Sequence, residues 1–397
     1  MKMSSCASMI NNLWRVPLVL SLAAAISVAG CGGGGGGGGG GAETLTLVET
    51  KSMPASSTSG PYVVDIPNGA VSLTIIADGG DAGDMDISSI VDASGFSMIS
   101  ADPYNYPIGE NLAQGYGQSA VAFTVPHSLD YSFHPGKWSF SITHYSSPAD
   151  AAKDVSIYTI VKTAAGTKLN VNVWIVALPD YTGENDPNVK AMMDEFKRIM
   201  ALNGFTVGSV AVHVLDNADA QRLTNIDLGY DGNQNDQSDD MDELFKMSAQ
   251  AGNDYMNLFF VRSLSESGVL GIAGGIPGPP ILQGTEHSGV LVNTMGGLSS
   301  LSSSELLMQG ATVAHELGHY MGLFHTTESG GGSFDPISDT PECPASVFDT
   351  DGDGLVSAEE CVTRDGANLM FWASAWFTQE TLSSAQKSVV SFYPAVK

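Results

Sequence analysis

The sequence predicts an all-β sandwich over residues 44–166, followed by an α/β domain with a twisted mixed sheet and helices over residues 167–397. Three observations carry this. The first half holds short β-branched and aromatic runs of period two, punctuated by Gly, Pro, Asn and Asp. From about Thr167, apolar strands alternate with helix-periodic segments, the pattern of an α/β layer with a largely parallel sheet. The last third carries HELGHYMGLFH, residues 315–325, with histidines at helical spacing.

Residues 1–30 read as a targeting segment rather than fold. Lys2 and Arg15 precede VPLVLSLAAAISVAG, an apolar run too short for a stable transmembrane span. It ends in Val28-Ala29-Gly30-Cys31, which resembles a bacterial lipobox. That resemblance implies cleavage before Cys31, lipidation of Cys31, and an extracytoplasmic place in the bacterial cell envelope, at the outer membrane. A plain secretory signal is the alternative. Residues 31–43 then form a tether dominated by Gly32 to Gly41, which cannot bury a core. No second long apolar segment follows, so the expected membrane contact is through the lipid at Cys31 alone. With 43 acids against 16 bases, a net charge of -27, the chain lacks the basic footprint of a nucleic-acid binder. Of four cysteines, Cys6 leaves with the signal and Cys31 takes lipid. Cys343 and Cys361 remain as an even pair in an oxidising compartment and are expected to form a disulfide; two buried thiols are the alternative.

The expected sandwich strands are TLTLVET, YVVDIP, VSLTIIAD, SAVAFTVP, WSFSITHY and VSIYTIVK. His127, His134 and His144 match no metal spacing and read as structural or surface residues. In the second half LNVNVWIVAL is a strongly apolar strand. Asp186-Pro187 supplies an N-cap and a first-turn proline. The helix after them places Val189, Met192, Met193, Phe196, Ile199 and Met200 on one face and stops at Gly204. VGSVAVHVL, the helix MDELFKMSAQ and the strand YMNLFFVRSL follow. His213 reads as a core residue, and His287 has no assigned role. Residues 227–243, dense in Asp and Asn, read as a solvated loop running into a helix N-terminus.

Ser302 and Glu305 have capping-box spacing, so a helix is expected to start there and run through the histidines. At about 100° per residue, His315, Glu316 and His319 project into one arc roughly 100° wide. Two imidazoles four residues apart can grip one ion, with the carboxylate beside them. Gly322 lets the chain turn sharply, and His325 returns as a third nitrogen ligand. Three protein ligands leave a fourth position open, as in catalytic zinc sites. Five fixed positions arise by chance about 10⁻⁴ times per chain of this length.

These residues match the metzincin signature H-E-x-x-H-x-x-G-x-x-H, and the chain resembles the metzincin zinc metallopeptidases. The resemblance implies a metzincin-type catalytic domain, with Met370 of Asn368-Leu369-Met370 in the Met-turn beneath the three histidines. The order Thr326-Thr327, Asp339-Thr340-Pro341, a cysteine pair, the methionine, then FTQETLSSAQ resembles the pappalysins, also called cytophagalysins, over residues 305–390. That family carries a disulfide between zinc helix and Met-turn, and a terminal helix. It implies hydrolysis of a protein or peptide substrate, with zinc on His315, His319 and His325 and Glu316 as general base, then acid. Several metzincins have a tyrosine two residues after the methionine; here Trp372 stands there, and indole donates a hydrogen bond but neither ligates zinc nor titrates as a phenol. The strand from Gly289 to Asn293 is expected to be the sheet edge on which an extended substrate lies.

Residues 349–360, DTDGDGLVSAEE, have EF-hand loop spacing. Asp349, Asp351 and Asp353 stand at positions 1, 3 and 5, Leu355 offers a carbonyl, and Ser357 and Glu360 stand at 9 and 12. Hard oxygen ligands in this order favour calcium, with the cysteine pair clamping the loop in place of flanking helices. Two other functions fit the sequence: a surface binding or adhesion lipoprotein with an inert metallopeptidase-like domain, and a non-peptidase zinc hydrolase.

Overall fold

A computed structural model describes residues 44–80, 84–99, 119–145, 152–228, 240–375 and 378–397. The targeting segment, Cys31, the glycine tether and most of the acidic stretch 227–243 lie outside the described residues. Among the described residues no helix is long and apolar enough to cross a membrane.

Seven antiparallel strands build the first part: β1 Thr46–Met53, β2 Ser57–Ile66, β3 Ser72–Asp78, β4 Asp84–Val91, β5 Ala120–Val125, β6 Gly136–Tyr145 and β7 Lys153–Lys162. They form one sheet in the order β1-β7-β3-β5 and another in the order β2-β6-β4. Alternate residues of both sheets, among them Ile75, Ile87, Phe123, Trp138, Phe140 and Ile157, share one core. Strand β4 has no counterpart in the sequence reading, because DMDISSIV mixes acids and serines into its apolar positions. Strands β3 and β5 show continuous rather than alternating burial. Their outer residues Ile76 and Ala122, with Ile160 of β7, pack on Ile281 and Leu282 of the second part. Strands β3 and β5 are therefore covered on both faces, while β1 at the sheet edge stays exposed. Nearby, the buried Lys162 ammonium donates to the carbonyls of Tyr393, at 3.1 Å, and Val396. His127 and His144 are buried in this half, while His134 accepts from Trp138 through its backbone carbonyl.

The second part begins with β8 Lys168–Val176, α1 Pro187–Leu202, β9 Thr206–Leu215, α2 Ala218–Arg222, β10 Asn225–Ile226 and α3 Asp240–Lys246. It continues with β11 Met256–Val261, β12 Ser263–Leu264, β13 Gly271–Ala273, β14 Val290–Asn293, α4 Ser303–Tyr320, α5 Ala345–Phe348 and α6 Ser384–Phe392. The main sheet has the order β13-β14-β11-β8-β9, parallel except for β13. Parallel strands covered on both faces read as unbroken apolar runs. Leu169, Val171, Val173 and Ile175 of β8 face a core shared with α1, α4 and α6, while Trp174 and Val176 face a second core on the other side. Asp186 caps α1 by accepting from Asn188 N and Val189 N, and the six apolar residues expected on its inner face are its buried residues.

The terminal helix implied by the resemblance begins at Ser384, within FTQETLSSAQ, where Ser383 and Gln386 make a capping box. Three expectations need correction. The helix expected over MDELFKMSAQ is α3 plus a 3₁₀ turn, Met247–Ala251. His213 is only half-buried, because β9 is an edge strand; it stacks on Trp174 at 4.2 Å. Finally, β14 lies inside the sheet, and the edge beside α4 is β13. Three residues, GIA, are too short a run to register as a strand from sequence.

Candidate metal centre

Helix α4 starts at a capping box: Ser302 accepts from Glu305 N, and the Glu305 carboxylate accepts from Ser302 N. Its last turns carry His315, Glu316 and His319, at 1, 3 and 5 % exposure. The helix ends at Tyr320, with Met321 as its C-cap. Gly322 then takes φ +101°, a conformation side chains resist, and Leu323 N bonds back to Gly318 O at 3.0 Å. This turn returns His325, also buried, against the first two.

The three Nε2 atoms converge, with His325 Nε2 3.3 Å from that of His315 and 3.1 Å from that of His319. Each Nδ1 has an acceptor: Leu369 O at 2.7 Å for His315, Leu323 O at 2.6 Å for His319 and Glu328 Oε2 at 3.2 Å for His325. Carbonyl and carboxylate oxygens only accept, so each Nδ1 carries the proton and each Nε2 presents a lone pair. Burial, then the His325 neighbour, holds His315 down to about 3, and the same causes keep His319 well below the usual histidine range. Three buried lone pairs at this separation repel one another unless a cation lies among them. A tetrahedral ion with Zn–N of about 2.0–2.1 Å sets its nitrogens about 3.3 Å apart, so the donor set fits zinc.

The floor of the site comes from far along the chain. A Cβ placed on Gly318 would lie 2.5 Å from Met370 Sδ, which puts the methionine directly against the helix under the histidines. Asn368 Oδ1 accepts from Met370 N at 2.8 Å and closes this turn, and Thr326 N bonds Met370 O at 3.1 Å. Glu316 sits on the opposite side, under β13. A Cβ on Gly271 would lie 2.6 Å from Glu316 Cγ, so only glycine admits the carboxylate there. Burial pushes the Glu316 carboxyl up to about 8; a cation beside it acts in the opposite sense.

The family model of metallo-peptidase family M12 matches residues 167–370. The chain belongs to this family. The M12 match spans β8 through Met370 and so takes in the histidines, Glu316 and the turn at Met370. Among solved structures, the crystal structure of metalloproteinase-II from Bacteroides fragilis is similar at 13% identity with a TM-score of 0.30; the match covers 61% of this chain and 63% of that one, less than two thirds of its length. The comparison with curated proteins gives no match.

The other expected sites lie beside the M12 centre. Cys343 and Cys361 form a disulfide with Cα atoms 5.8 Å apart. Asp339 accepts from Ala385 N at 3.0 Å in the first turn of α6, and Thr340 donates to Ile337 O. Carboxylate oxygens of Asp349, Asp351 and Asp353 approach within 4.8 Å of one another. Glu360 is turned instead to Thr350 and Ser357, accepting from the backbone N and hydroxyl of each, which holds it down to about 2. Leu355 N donates to Asp353. Trp372, 5 % exposed, donates its indole N–H to Val356 O at 2.6 Å.

The sequence reading missed Glu328, Leu369 and Gly271 as parts of the centre. An acid three residues after the third histidine was a usable signal for Glu328. Leu369 acts through its carbonyl and Gly271 through the side chain it lacks, so neither leaves a residue-type signal.

Proposed function

We propose that the chain is an extracytoplasmic zinc endopeptidase of the pappalysin-like kind, held to the bacterial outer membrane by a lipid on Cys31. The observation that carries the activity is the triad of converging Nε2 atoms with Glu316 on the same helix beside them. Bound zinc would supply Lewis-acid polarisation of the scissile carbonyl and a lowered water pKa. His315, His319 and His325 would hold it, each oriented through its Nδ1. Glu316 takes the proton of the attacking water and delivers it to the leaving amine. Strand β13 offers the sheet edge next to Glu316, where an extended peptide can add main-chain hydrogen bonds. The subtype rests on the order of Asp339-Thr340-Pro341, the cysteine pair and Asn368-Leu369-Met370; the envelope location rests on the lipobox-like segment.

A peptide library incubated with the purified chain tests this directly. Cleavage is expected, is lost after chelation, and returns on adding zinc. Full metal content without cleavage would favour a surface-binding lipoprotein, and hydrolysis of non-peptide carbonyl substrates alone would favour another zinc hydrolase.

For residues 349–360 the proposal is a calcium-stiffened loop. Its support is the close approach of the Asp349, Asp351 and Asp353 carboxylates within a segment closed by the disulfide. Calcium added to calcium-free, zinc-loaded protein is expected to raise the melting temperature. An unchanged melting profile would remove calcium from the reading.

A further inference from the structure

Two of the three zinc-site histidines are oriented by neutral backbone carbonyls, those of Leu369 and Leu323. The third is different, because His325 Nδ1 faces the Glu328 carboxylate. Glu328 opens a tight turn. Its carbonyl accepts from Gly331 N at 2.8 Å, and its own N–H donates to Ser333 O at 2.9 Å. An isolated bridge between Thr327 and Phe334 closes the base of that turn.

The turn does not stand alone. Val356 N donates to Ser329 O at 2.9 Å, and Ala345 N donates to Gly331 O at 3.1 Å. Both donors belong to the segment that Cys343 and Cys361 close. Val356 is fully buried and used on both sides, since its carbonyl accepts the Trp372 indole N–H at 2.6 Å. A continuous path of hydrogen bonds thus runs from Trp372, just past the Met-turn, through Val356 and the turn at Ser329 to Glu328 and His325.

We propose that Glu328 is a positioning residue for the third zinc ligand, and that Trp372 and the disulfide-closed segment hold its turn in place through Val356. This rests on the zinc reading above. A carboxylate behind a ligating imidazole fixes its tautomer and ring orientation and raises its basicity. Glu328 is exposed enough to move away from His325 if its turn loosens, being 28% exposed at the side chain. The two backbone hydrogen bonds from the closed segment oppose that motion.

The test is zinc affinity of the full chain, measured with Zn²⁺ against a competing chelator, together with the visible absorption spectrum of the Co²⁺-substituted protein. Glu328→Ala is expected to weaken zinc binding roughly 10- to 100-fold and to shift the cobalt bands. Glu328→Gln, whose amide oxygen still accepts from Nδ1, is expected to recover part of the loss. Trp372→Phe removes the indole donor, together with part of the ring volume buried around it, and is expected to weaken zinc less. Combined with Glu328→Ala it is expected to add nothing, because both act through the same carboxylate. Parent-like zinc affinity and cobalt bands in Glu328→Ala overturn the role of Glu328. Should that variant fail to fold, Glu328→Gln decides, with parent-like affinity and bands again overturning it. Additive losses in the double variant overturn the link through Val356. A parent chain that takes up no zinc defeats the zinc reading itself, which is a separate outcome.

Discussion

Glu316→Gln is expected to lower the rate of peptide hydrolysis by roughly 10²- to 10⁴-fold while zinc content stays at the parent level. Glutamine keeps the size of the side chain, so it fits under β13 where Gly271 leaves room. It touches none of the three Nδ1 acceptors, and the nitrogen triad keeps its geometry. What disappears is the group proposed to accept a proton from water and return it to the amine. The zinc-free protein should also show a stability effect with a definite sign. Burial raises the Glu316 pKa to about 8, above its ordinary value of 4.5. The folded state therefore holds this proton more tightly than the unfolded chain does. Its contribution is full below pH 4.5 and is lost as pH rises toward 8. The glutamine variant lacks that loss, so zinc-free Glu316→Gln is expected to be the more stable protein at pH 8 and to differ less from the parent at pH 4.5. Thermal melts at both pH values, with zinc content and cleavage rates, check all parts. Cleavage at the parent rate would end the role of Glu316.

Gly271→Val is expected to reduce activity about 10²-fold and stability by about 1–3 kcal/mol, again with zinc retained. The added Cβ would stand 2.6 Å from Glu316 Cγ, and 2.9 Å from both Leu291 O and Thr312 Cγ2. The first contact displaces the carboxylate. The second is with backbone of the neighbouring strand and cannot relax by a rotamer change, so β13 itself must shift. Both shifts strike the proposed reaction: one moves the carboxylate proposed as proton acceptor, the other moves the sheet edge proposed to hold the peptide. Kinetics with a fluorogenic peptide and a denaturation curve separate the two components. Normal turnover in a folded variant would show that β13 does not lie over the reacting groups.

Local pattern was readable in the sequence where one element settles its own arrangement. The six-residue buried face of α1, the capping box at Ser302 and the turn at Gly322 follow from helical period and backbone sterics over a few residues. Strand β4 was hidden because its acids interrupt the apolar period. The continuous burial of β3 and β5 needed the docking against Ile281 and Leu282 to make sense. The tryptophan that replaces the expected tyrosine could be recognised as a departure, but not as a donor to Val356.

The sequence by itself determined that three imidazoles and one carboxylate gather on a helix and its exit turn, because 3.6 residues per turn and one glycine suffice to bring residues 315–325 together. Tertiary structure alone decided what orients and covers them. The His315 acceptor, Leu369 O, lies 54 residues away, Gly271 arrives on an edge strand, and Trp372 is linked to the turn carrying Glu328 through Val356. Such contacts depend on how strands order across the sheet and how loops pack behind it, and no periodicity along the chain encodes that.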